Sequence, residues 1–152
     1  MHNFQRFLPG IIAVLLCARS VEGSSRRDSA IRLNTDGFDF AAALIAQNRF
    51  VTDKKGEWSR HHPARAREDD FVRNQGFPEY AKWYLAMDEQ HGLNTKARYK
   101  FPFGDFQNVH RCGLLAIKTR AHQYGYQEIE DAATRLLGMM ESARPGRQKR
   151  VD

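Results

Sequence analysis

The chain has 152 residues, 41% of them hydrophobic and 28% charged, with a formal net charge of +6. That is enough chain for one domain with a buried core and too little for two comfortable ones. The basic excess sits at the ends, since residues 1–35 and 143–152 carry +3 each while residues 36–142 hold 15 Lys/Arg against 15 Asp/Glu, which excludes a uniformly basic domain.

Residues 1–23 have the outline of a secretory signal: Arg6, an apolar run from Phe7 to Ala18, and Val21 and Gly23 at a plausible cleavage spacing. The run is well short of the roughly 20 residues that cross a bilayer, so no membrane span is expected. Three origins stay open for residues 1–33: a native extension, a signal peptide cleaved near Gly23 in an exported protein, or sequence upstream of the true start. The two cysteines, Cys17 and Cys112, are too few and too far apart for a disulfide framework, which favours a reducing, cytoplasmic location.

A single domain is expected over residues 34–142. Phe40, Ala41, Leu44 and Ile45 repeat at helical spacing after Asp36-Gly37. Asp53 to Ser59 is a polar turn anchored by Trp58, and His61-His62-Pro63 separates it from a charged helix over Ala64 to Asn74, closed by Gly76. Pro78 at a first turn opens another helix, on which Tyr80, Trp83, Tyr84 and Met87 follow at steps of three and four. Arg98 to Phe103 reads as a short extended piece. Asp105 then caps a helix over Gln107 to Tyr124, and a second over residues 127–141 follows at once, which makes an antiparallel helical hairpin with Gly113 at its contact. The expected fold is therefore a small all-α domain, followed by a disordered basic tail over residues 143–152.

From about Asn34 to Met140 the chain resembles a family of small bacterial proteins of unknown function. The resemblance rests on Asn34-Thr-Asp-Gly-Phe-Asp-Phe, Glu57-Trp-Ser with His62-Pro, Tyr80-Ala-Lys-Trp, Arg98-Tyr-Lys-Phe-Pro-Phe-Gly-Asp-Phe, Val109-His-Arg-Cys-Gly-Leu-Leu and Ile129-Glu-Asp-Ala-Ala. It implies a self-standing unit that excludes residues 1–33, and it implies no activity.

No nucleophile elbow, phosphate loop or dinucleotide fingerprint occurs, so no catalytic residue is assigned and no enzyme activity is expected. Neither Cys-x2-Cys nor His-x3-His spacing occurs either. Placed on one helix, His110 and Cys112 diverge by about 200 degrees, so no metal and no cofactor is expected. Two polar residues break the apolar arc of that helix, His110 and Arg120. They either bond partner backbone or an acid such as Asp105, Asp88 or Glu89, or line a pocket with Tyr99 and Phe103. Arg98, Lys100, Arg111 and Lys118 form a candidate anion-contacting stripe, or else a solvated face. The sequence thus points to a non-enzymatic module that binds protein or nucleic acid, with a ligand pocket around His110, Arg120 and the Tyr99 to Phe103 aromatics as the alternative. On charge alone, affinity for a polyanion is expected to reside in the tails.

Overall fold

The computed structural model describes residues 30–144, so the expectations about the leader and most of the basic tail lie outside the described residues. The domain begins earlier than residue 34. Ile31–Leu33 is a strand, β1, followed by helix α1 over Thr35–Ala46 and a two-residue strand, β2, at Phe50–Val51. Next come α2, Trp58–His61, and α3, Arg65–Ala81, which is kinked where Gly76 adopts φ 79°. Then follow strand β3 at Tyr84–Asp88, β4 at Tyr99–Pro102 and β5 at Val109–His110, and finally helices α4, Arg111–Tyr124, and α5, Gln127–Ser142.

The all-α expectation is therefore wrong: the fold is mixed α/β, with an antiparallel sheet in the order β1-β3-β4 and a parallel pair, β2-β5. The error lies in β3. Its residues Tyr84, Leu85 and Ala86 are buried, and it is the central strand, with Leu33 opposite Ala86 on one side and Lys100 opposite Ala86 on the other. A short strand whose first three residues are all buried, directly after a helix, carries no alternation, and aromatics at three- and four-residue steps then mimic a helical stripe. The extended reading of Arg98 to Phe103 corresponds to β4.

α1 and α5 pack on each other and on the sheet, and α4 packs along α5 and against β4. The core between them holds Leu44, Ile45, Leu85, Leu114, Ile129, Leu136 and Met140. An aromatic cluster closes the other side, where Tyr80 sits among Phe71, Phe77, Tyr84, Tyr99 and Phe106 with centroids 4.6 to 6.5 Å apart.

Two residues lock α1 to the sheet. Asn34 occupies the N-cap position, but its buried amide reaches across instead, donating to the carbonyls of Ala81 and Tyr84 at 2.9 and 2.8 Å. Gly37 lies so close to the Tyr84 carbonyl oxygen that a Cβ there would clash with it, well inside van der Waals contact distance. Gly113 is small for a different reason from the one expected. Its added Cβ would meet the Trp58 ring at 3.0 Å and the Phe103 carbonyl at 3.1 Å, so it seats α2 and the β4 exit rather than α5.

Candidate functional site

The β2-β5 pair generates the first cluster. Its parallel register sets Val51 beside His110, and continuing two residues along both chains sets Asp53 beside Cys112. α4 begins at Arg111, four residues later than the sequence suggests, and its N-cap residue His110 makes no side-chain cap. Asp53 caps the helix from outside. Its Oδ1 accepts the Cys112 amide at 2.6 Å, while Oδ2 accepts the Cys112 thiol at 3.0 Å and bonds His110 Nδ1 at 2.7 Å. Asp105, expected to cap the helix, instead accepts the amides of Gln107 and Asn108 in the turn before β5.

The reasoning that set His110 and Cys112 apart on one helix fails because His110 is a strand residue. Both are brought together by an acid 57 and 59 residues upstream. Among the described residues, His110, Cys112 and Asp53 are the one group whose donor atoms all lie within 4.8 Å of one another. The site is closed, with the side chains of Asp53 and His110 each 5% exposed. α2 covers it: the His61 ring stacks on His110 with centroids 4.8 Å apart, and His61 Nε2 is 3.8 Å from Asp53 Oδ2. On the far side His110 Nε2 is buried without a hydrogen-bond partner among the described residues, 3.6 Å from Asp105 Oδ2.

Burial pushes the Asp53 carboxyl up, but hydrogen bonds from the Cys112 thiol, His110 and the Cys112 amide outweigh it and hold it below its usual value. Burial, then the hydrogen bond and the negative charge of Asp53, push the Cys112 thiol up to about 12. A thiol so protonated is no nucleophile at neutral pH.

The second feature is an open groove of about 730 Å³ between α2, β4, α4 and the turn into α5. Trp58, Phe101, Tyr124 and Tyr126 supply its rings, and Lys100 and Arg120 its cations. In a regular strand Lys100 and Phe101 would face opposite sides. Phe101 has φ 61°, a conformation bulky side chains rarely adopt, and both residues line the groove. The Phe101 ring meets Tyr126 edge-on at 6.1 Å.

The expected pocket set is thus divided. Arg120 is exposed in the groove, its guanidinium 5.9 Å from the Tyr124 ring. His110 belongs to the closed cluster, and Tyr99 and Phe103 are core. The expected anion stripe divides too. Lys100 lines the groove, 3.9 Å from Asp88. Arg98 donates to the His91 carbonyl and Arg111 to that of Asp53, and neither they nor Lys118 line the groove. His122, one turn beyond Lys118 on α4, faces Glu130 of α5 at 3.1 Å.

Sequence reasoning missed Asp53. Its only sequence signal is indirect: a helix start at His110-Arg111 with no capping side chain requires an acceptor from elsewhere. No helix among the described residues is long and apolar enough to cross a membrane. Comparison with protein-family models, with curated proteins and with solved structures gives no match.

Proposed function

We propose that the protein is a binding module rather than an enzyme, and that the aromatic groove takes single-stranded nucleic acid. The observation that carries this reading is Phe101, a bulky residue held at φ 61° with its ring in a groove that also holds Trp58, Tyr124 and Tyr126. Strain of this kind costs about 1–3 kcal/mol and persists where the surroundings impose it, often at binding sites. Aromatic faces beside Lys100 and Arg120 match how single strands are held, with stacked bases and a phosphate backbone tracked by cations. The charge argument that assigned polyanion affinity to the tails leaves out stacking, which needs no net field. The thiol of Cys112 and the saturated carboxylate of Asp53 offer no free nucleophile or base, which supports a non-catalytic role.

The test is the fluorescence anisotropy of a short labelled pyrimidine oligonucleotide titrated with the full chain across a range of salt. Arg120→Ala should weaken binding and lower the log-log salt slope by about 0.7, the share of one phosphate contact on a single strand. Phe101→Ala should weaken binding by about 1–3 kcal/mol and leave the slope unchanged. Affinity that both substitutions leave intact would remove the groove from consideration.

A further inference from the structure

We propose that Asp53, His110 and Cys112, with His61 as the fourth ligand, form a structural zinc site. Carboxylate, imidazole and thiolate are the donors zinc takes. With bond lengths of about 2.0–2.3 Å in a tetrahedron, its ligand atoms stand about 3.3–3.7 Å apart. Around Asp53 Oδ2 the other donors lie at 2.7 Å for His110, 3.0 Å for Cys112 and 3.8 Å for His61, and the donor atoms of Asp53, His110 and Cys112 all lie within 4.8 Å of one another, so these three close on a cation by small shifts while His61 turns out of its stack on His110 to complete the set. Charge balances as well. A carboxylate and a thiolate against Zn²⁺ leave the closed site neutral, which removes the cost of burying the lone Asp53 charge.

The far side of His110 supplies an independent observation. When Nδ1–H donates to Asp53, a neutral ring turns a bare Nε2 toward the Asp105 carboxylate, two acceptors face to face, and this Nε2 is buried without a hydrogen-bond partner among the described residues. Zinc on Nδ1 reverses the tautomer. The ring proton then sits on Nε2 and points at Asp105 Oδ2, 3.6 Å away, the carboxylate-histidine-metal arrangement that orients metal-bound histidines. The step balances without an oxidant: the Cys112 thiol proton leaves to solvent, the ring proton of His110 changes nitrogen, and zinc takes both positions. His61, on the solvent side and 36% exposed, closes the site and ties α2 to the start of α4.

The experiment is a Co²⁺ titration of the chelator-treated full chain, followed by zinc displacement. We expect one cobalt per chain, with a thiolate charge-transfer band, four-coordinate d–d bands, and loss of both on adding zinc. Cys112→Ser should lose the charge-transfer band while circular dichroism stays native. Cys17→Ser, which alters the chain's other cysteine, should keep it. His61→Ala, a change at the rim that leaves the core intact, should weaken zinc at least tenfold, and Asp105→Asn about tenfold. Absence of a thiolate band in the folded chain would overturn the proposal, as would a band that survives Cys112→Ser or affinity indifferent to His61→Ala.

Discussion

Asp53 joins three segments through one carboxylate, and its removal measures how much the start of α4 depends on it. Asp53→Ala leaves the Cys112 amide and the His110 ring without their acceptor, and should cost about 3–5 kcal/mol, readable by urea denaturation. In the metal-free protein the sign of the pH effect follows from the lowered Asp53 pKa. The folded value lies below the ordinary 3.8, so the stabilisation is complete above that pH and is lost as pH falls through the folded value. Asp53→Asn should therefore flatten the acid limb of the stability curve. Asp105 is also held low, by the Asn108 and Gln107 amides acting against its burial, and it retains part of that limb. Phe101→Gly separates strain from function at a single residue. Glycine accepts φ 61° freely, so the relief offsets the lost ring packing and stability should move by no more than about 1 kcal/mol, while oligonucleotide binding falls.

At the scale of elements, Gly113→Leu would drive a side chain into Trp58 and the Phe103 carbonyl, and should cost about 2–3 kcal/mol by prising α2 from α4. Gly138→Ala on α5, where an added Cβ meets nothing within 4 Å among the described residues, should be neutral or stabilising by up to about 1 kcal/mol. Equal effects in thermal melts would contradict this packing. The elements also show where the sequence is legible. α1, α4 and α5 carry helical periodicity and are found within a few residues. β3 was misread because its first three residues, Tyr84 to Ala86, are buried without alternation, and its identity is decided by pairing with β1 and β4 far away in the chain. The closed cluster was illegible for the same reason, since the two-residue parallel pair that aligns Asp53 with Cys112 is a long-range register with no local pattern. Arg120 and Lys100 were expected in two separate sets and line one groove, and nothing local shows that Phe101 turns to join them.

Across the whole molecule the two features meet at α2. Trp58 lines the groove and stands 6.2 Å from the His110 ring, while His61, three residues on, stacks over the closed cluster. A metal bound there would fix α2, and with it one wall of the groove. Residues 30–144 hold 17 Lys/Arg against 15 Asp/Glu, so this part of the chain separates stacking in the groove from attraction to the tails. The most direct measurement is oligonucleotide binding by a chain trimmed to residues 30–144, which keeps β1 and the hydrogen bond from the Glu89 amide to the Ala30 carbonyl. The groove predicts retained micromolar binding with a salt slope of roughly −1.4 for its two cations, weakened by Phe101→Ala. Binding by the full chain that vanishes on trimming, in a protein that remains folded, would place the affinity in the tails and contradict the groove as the binding site.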